Sequence, residues 1–245
     1  MSVIDALEKP GLRERVFAGP PHWANDRIEP FDEEGFRLAQ PFVIEQYWSG
    51  QQSINVFDVV GTQHPDYAGR SWLEFLREGK RMGINLDLQR ENPDYYLEDR
   101  PKLPGMYYRS VDGSRWFVAE DGNHRTAIAR FMFHEMGRSM LHGVTVIKYK
   151  TDQRAMEVAA AVSGLVDERG LRVRLETCRT KLSREDTGGW MREEWRLDFE
   201  WTDLRRGVSE RLAVEEVERR VEALRRQSRW RGWMGWFRRS GPHHE

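Results

Sequence analysis

The chain has 245 residues, 39% of them hydrophobic and 32% charged, with a formal net charge of -1. That much apolar material excludes a disordered tail protein and suffices for one large domain or two small ones. The near-cancelling charge excludes a global field that would steer the whole molecule to a polyanion, so any nucleic-acid or membrane contact has to come from a local patch.

Cys178 is the only cysteine, which excludes an intrachain disulfide and a thiolate metal cluster and fits a reducing compartment. The first ten residues carry acids and Pro10 where a signal peptide needs an apolar core, and no later run is apolar enough to span a bilayer. The expectation is a cytoplasmic protein with no integral membrane segment.

Residues 1–35 hold Pro10, Pro20, Pro21 and Pro30, which predicts an extended arm laid over the surface. Residues 36–150 read as the main domain, beginning with a mixture of short helix and strand up to Val60. Ser71 is placed to cap a helix through Trp72, Phe75 and Leu76, with Glu74 completing a capping box. A proline- and charge-rich connection, RENPDYYLEDRPKLPG from Arg90, leads into strand-like runs at Met106–Val111 and Arg115–Glu120. Asp112-Gly113-Ser114 between them is a hairpin signal.

A helix follows with Ala127, Ile128, Phe131 and Met132 on one side, and then a β-branched strand, GVTVIKY. Residues 151–205 read as a helix over 153–168 and two alternating runs, Leu171, Val173 and Leu175, then Trp195, Leu197, Phe199 and Trp201. The polar stretch SREDTGG is expected to be a loop between them. Residues 206–245 begin with a charged helix, Glu210 to Arg226, whose Val214, Val217, Val221 and Leu224 make a stripe suited to docking. The fold class expected is α+β, a mixed α/β domain with a C-terminal β-hairpin and helical extension.

The chemistry concentrates where a strand turns into a helix, at WFVAEDGNHRTAIARF from Trp116. Gly122 permits a sharp turn, Asn123 can cap the helix, and the first helical N–H groups then make an anion site. Arg125 adds a charged fork for phosphate oxygens, and His124 can donate a hydrogen bond or move a proton near neutral pH. Glu120 and Asp121 are hard-oxygen candidates for magnesium or for orienting a water. A solvated first turn with an Asp-Gly junction is the structural alternative for the same residues.

In its context this stretch resembles the ParB/sulfiredoxin-like superfamily, whose signature is a strand ending in Asp-Gly, then x-His-Arg or x-Arg-Arg opening a helix. Asp121, Gly122, His124, Arg125 and Ala127 match it. Sulfiredoxins carry a cysteine where this chain has Asn123, so sulfinic-acid repair lacks its nucleophile. The chromosome-partition members continue into a helix-turn-helix with no counterpart here.

The run from Gly122 through Thr126 into Ala-Ile-Ala-Arg-Phe looks closest to the plasmid fertility-inhibition branch, the Osa and FiwA type. The resemblance implies that Gly122, Asn123, His124, Arg125 and Thr126 bind a nucleoside triphosphate, ATP first, with Mg2+ at Glu120 and Asp121. It assigns Glu120, Asp121, His124 and Arg125 to nucleotide hydrolysis or DNA cleavage, and a protein of a conjugation apparatus as partner.

A second unusual stretch is RRQSRWRGWMGWFRR. Arg225, Arg226, Arg229, Arg231, Arg238 and Arg239 border Trp230, Trp233 and Trp236. Bases can stack on such rings while arginines hold phosphates, or the rings can enter a lipid headgroup region. The third reading is core, covering the alternating strands. Two functions therefore stand side by side: a nucleotide-binding protein acting on or near DNA, with or without turnover, and a non-enzymatic adaptor or nucleotide switch binding a protein partner.

Overall fold

A computed structural model describes the backbone of residues 10–237 and the side chains of residues 10–226. The chain divides into two compact units. The first comprises the described part of Met1–Leu38 with Glu45–Lys150 and Arg184–Glu193, and the second comprises Ala39–Ile44, Thr151–Ser183 and the described residues from Glu194 on.

The first unit begins with a helix where an extended arm was expected. Leu12–Ala18 forms α1, and a 3-10 turn follows at His22–Asn25. Leu12, Val16, Trp23, Ala24 and Ile28 are buried in the core. The prolines mark the breaks between these pieces, but burial of the residues between them decides their shape. After the short strand β1 (Glu29–Pro30) come α2 (Glu33–Ala39), β2 (Val43–Asn55) and β3 (Val59–Thr62). The capping box is present: the Ser71 hydroxyl accepts from the Glu74 amide at 3.1 Å and the Glu74 carboxylate accepts from the Ser71 amide at 2.7 Å, opening α3 (Trp72–Glu78).

Helix α4 (Met82–Glu91) leads into the proline-rich connection, which holds one short helical turn, α5 (Asp94–Leu97), and is otherwise irregular up to β4. The expected hairpin follows as β4 (Tyr107–Val111) and β5 (Trp116–Val118), antiparallel, with Asp112 at a φ of 50° in its turn. Helix α6 (Asn123–Met136) and strand β6 (Met140–Thr151) complete the unit. The strand order β1-β3-β5-β4-β6-β2 is mixed: β1, β3 and β5 run parallel, β4 opposes β5, and β6 is parallel to β4. Ala127, Ile128, Phe131 and Met132 of α6 bury against this sheet's core with Phe75, Tyr108 and Val146.

In the second unit α7 spans Gln153–Arg169, with the Asp152 side chain capping it through the Ala155 amide at 2.9 Å. Strands β7 (Val173–Thr187) and β8 (Trp190–Asp203) are neighbours, and β9 (Val208–Ala213) pairs antiparallel with β8. The SREDTGG stretch is strand up to Thr187, leaving only a Gly188-Gly189 turn, and this hairpin tip belongs to the first unit. Exposed charges are compatible with a strand solvated on its outer face, and Arg184 pairs with Asp186 at 2.7 Å and Glu193 at 2.9 Å.

The charged C-terminal helix starts at Val214, because Val208–Ala213 is strand; α8 runs Val214–Phe237. Its stripe does not wait for a partner. Val214, Val217 and Val221 are buried with Val162, Leu165, Leu197, Phe199 and Trp201 in the unit's own core, and Leu224 packs against it. Among the described residues, no helix is long and apolar enough to cross a membrane.

Candidate functional site

Parallel strands β3 and β5 end side by side, with Thr62 in register with Val118, and the chain leaves β5 through Glu120-Asp121-Gly122 into α6. The C-terminal ends of parallel strands facing a helix N-terminus are where an α/β sheet offers a ligand crevice. Gly122 occupies the cap position at φ 118° and ψ 0°, a backbone an L side chain rarely adopts, and a Cβ there would meet Met106 at 3.3 Å. Asn123 is therefore not the cap but the first helical residue. Its Oδ1 accepts from the Thr62 hydroxyl at 2.6 Å, and that hydroxyl oxygen accepts from the His64 amide at 2.9 Å. The amides of Asn123, His124 and Arg125, as the first of a helix, have no intrahelical acceptor.

His124 lies half-buried against the rings of Phe75 and Tyr67, at 5.0 and 5.3 Å between centroids. Its Nε2 faces the Arg81 amide at 3.4 Å as acceptor, which assigns the proton of the neutral ring to Nδ1. Burial first, then the charges of Arg81 and Arg125, hold its pKa below the ordinary 6.5. The unfolded chain therefore binds more protons between the two values. His124's contribution to stability is complete above 6.5 and is lost as the pH falls through its lowered value. Thermal melts of the wild type and His124→Gln between about pH 7.5 and about pH 5 are expected to show a steeper loss for the wild type; parallel curves would refute it.

Arg125 reaches down from α6 with its side chain 11% exposed. It donates to Asp121 Oδ2 at 2.6 Å, to the Tyr95 hydroxyl at 2.8 Å and to the Pro104 carbonyl at 2.6 Å, and the Tyr95 hydroxyl donates to the same carbonyl at 2.7 Å. The guanidinium thus ties α6 to the connection before β4. Asp121 is engaged twice, since its Oδ1 also accepts from the Gly122 amide at 2.6 Å. Thr126 is fully buried, its hydroxyl bridging Tyr108 and the Gly122 carbonyl, each at 2.8 Å, so as placed it shapes the turn and faces no ligand.

Glu120 is exposed beside them. With both Asp121 oxygens already accepting short hydrogen bonds, Glu120 and Asp121 do not fit a resident magnesium site as they stand. Among the described residues, no group of three or more His, Cys, Asp or Glu is placed to hold a metal.

A cavity of about 380 Å³ opens at this junction, lined by Arg81, Asn85, Leu88, Gln89, Asn92, Tyr95, Tyr96, Leu103, Pro104, Asp121, His124 and Arg125. Its size lies in the range of small-molecule sites, and it combines cations, carboxamides and phenol rings. Burial is the leading cause that keeps the Tyr95 hydroxyl above its ordinary pKa and so neutral. The sequence motif supplied only one wall. Asn85, Gln89 and Asn92 recur at i, i+4 and i+7, a helical stripe of amides readable in RMGINLDLQREN, but nothing local placed it opposite His124 and Arg125.

Of the basic aromatic stretch, Arg225 and Arg226 are described and exposed, and Arg226 meets Glu222 at 3.4 Å. The backbone of α8 continues through Gly232 and Gly235, while the side chains of Arg229, Trp230, Arg231, Trp233 and Trp236, and all of Arg238 and Arg239, lie outside the described residues. No protein-family model, no curated protein and no solved structure matches this chain.

Proposed function

We propose that this chain is a ParB/sulfiredoxin-like nucleotide-binding protein that receives a nucleoside triphosphate, with magnesium carried on its phosphates, at the N-terminus of α6. The observation that carries the reading is the cavity shared by that helix end, Arg81 and Arg125 on one side and the amide stripe of α4 with Tyr95 on the other. Unpaired helix amides and guanidinium groups suit phosphates, while carboxamides and a phenol ring suit a nucleoside. Titration calorimetry with ATP, GTP and CTP in the presence of magnesium tests it: saturable heat is expected for at least one, and none with any of them would remove it.

Hydrolysis requires Glu120 or Asp121 to orient water and Arg125 to stabilise charge on the phosphates. If so, Glu120→Ala or Asp121→Asn is expected to lower phosphate release more than affinity, because such a carboxylate acts chiefly in the transition state. The present bonding of Asp121 favours a second reading, a switch without turnover, in which phosphates take Arg125 from Asp121. Asp121→Asn then binds nucleotide more tightly, by a few-fold, with no phosphate released by either protein.

Action on or near DNA, including a role in limiting conjugative transfer, belongs to the first reading and rests on the arginines and tryptophans after Arg225. Deleting 225–239 is expected to weaken DNA binding and to flatten its salt dependence by about one unit of slope for each DNA phosphate that the shortened chain no longer neutralises. Unchanged DNA affinity with a lower melting temperature would make the rings part of a core, and the adaptor reading would gain.

A further inference from the structure

Beside the nucleotide cavity lies a second one of about 210 Å³, lined by Asn92, Tyr95, Arg100, Pro101, Lys102 and Leu103. Asn92, Tyr95 and Leu103 line both, so the two hollows meet along the α4–β4 connection. Lys102 is 4% exposed, an unusual place for an ammonium to which no carboxylate among the described residues is hydrogen-bonded. Its Nζ donates to the Glu98 carbonyl at 2.8 Å and sits 5.5 Å from the centre of the Tyr95 ring. Arg125 lies 5.9 Å from the same ring centre, so Tyr95 holds two cations around one aromatic ring. An ammonium has three donors, and a single carbonyl uses one of them.

The position of Lys102 is fixed by backbone rather than left to a loose loop. Gly143 has φ 68°, and a Cβ there would collide with the Arg100 carbonyl, so the 100–102 backbone lies flat on β6. The Lys102 amide then donates to the Gly143 carbonyl at 2.8 Å. Burial lowers the lysine's pKa, so its placement costs stability in the absence of a ligand. Together the two cavities are lined by Arg81, Arg100, Lys102 and Arg125 against Asp121 alone among the acids. Asp121 pairs with Arg125 and Glu98 pairs with Arg100, which leaves Arg81 in the first cavity and Lys102 in the second without a carboxylate among the described residues, one free cation for each end of an extended anion.

We propose that Lys102 binds the distal phosphates of a ligand that extends from the α6 end into the second cavity, so that the site selects polyphosphates over monophosphates. This rests on the nucleotide reading above. The shared chemistry is a chain of phosphates, whether borne by a nucleoside or inorganic.

Calorimetric titrations of the full chain with ATP, ADP, AMP and inorganic tripolyphosphate, in the wild type, Lys102→Met and Lys102→Arg, test it. The wild type is expected to prefer ATP to AMP by tenfold or more. Lys102→Met should bind ATP at least tenfold more weakly and AMP within twofold of the wild type, and Lys102→Arg should recover part of the ATP affinity. Without ligand, Lys102→Met should melt no lower than the wild type, because an uncharged side chain replaces a buried ammonium. If Lys102→Met does not fold, the same ATP-to-AMP ratio in Lys102→Gln decides.

Equal losses for ATP and AMP, or no loss for either, would overturn the role of Lys102 while leaving nucleotide binding intact. Tripolyphosphate bound as tightly as ATP, and equally dependent on Lys102, would support the phosphate role and remove the nucleoside. A wild type that binds none of the four would end both proposals.

Discussion

Arg130→Ala is expected to destabilise the first unit by about 3–5 kcal/mol, lowering its melting temperature by roughly 8–15 °C. This guanidinium is buried, and burial pushes its pKa down to about 10. It donates to the carbonyls of Val56 at 3.1 Å, Phe57 at 3.3 Å and Val59 at 2.6 Å, capping the chain where it enters β3. The rings of Trp72 and Trp23 lie 4.4 and 4.7 Å from its central carbon, and Phe57 5.6 Å. Removing it takes a donor from three carbonyls, of which that of Val56 keeps the Val59 amide, and leaves a void under two indoles; a buried acceptor left unsatisfied costs about 1–3 kcal/mol. Arg130→Met, which fills the void but not the hydrogen bonds, should lose less than Arg130→Ala. Urea unfolding followed by tryptophan fluorescence measures both; a loss below about 1 kcal/mol in the alanine variant would show that water replaces the guanidinium.

Arg125→Ala is expected to weaken triphosphate binding by about 2–3 kcal/mol, roughly 30- to 150-fold, if one charge-assisted hydrogen bond to phosphate is deleted. The structure adds a second consequence. Because Arg125 holds Asp121, Tyr95 and Pro104 together, its removal also loosens the connection between α4 and β4. Protease cleavage between residues 92 and 105 should therefore accelerate in the unliganded variant. Tyr95→Phe separates the effects, since it deletes one of these bonds and leaves the guanidinium. Its binding is expected to stay within a few-fold of the wild type while cleavage still rises. Loss of binding as large as in Arg125→Ala would mean that the order of the connection, not the charge, sets affinity.

Local signals in the sequence were sufficient wherever a few neighbouring residues decide the outcome. The Ser71–Glu74 capping box, the turn at Asp112, the buried face of α6 and the strand-to-helix turn at Gly122 each follow from spacing and backbone preference, and each stands in the fold. Residues 12–18 and 210–213 went the other way, to helix and strand in place of extended arm and helix, because what they pack against or pair with outweighs propensity. The Val214–Val221 stripe was legible as apolar, but only the second unit's core decided that it is covered from within.

The site divides along the same line. Asp121 to Thr126 could be named from the sequence because a tight turn, a helix N-terminus and an arginine lie within six residues. Whether Arg125 waits free for an anion or is held by Asp121, Tyr95 and Pro104 is a question of groups up to 30 positions apart, and the opposition of Asn85 and Gln89 to His124 joins residues farther apart still. Hydrogen bonds and cavities of that kind depend on which surfaces the folded chain brings together, and short-range periodicity carries no information about them.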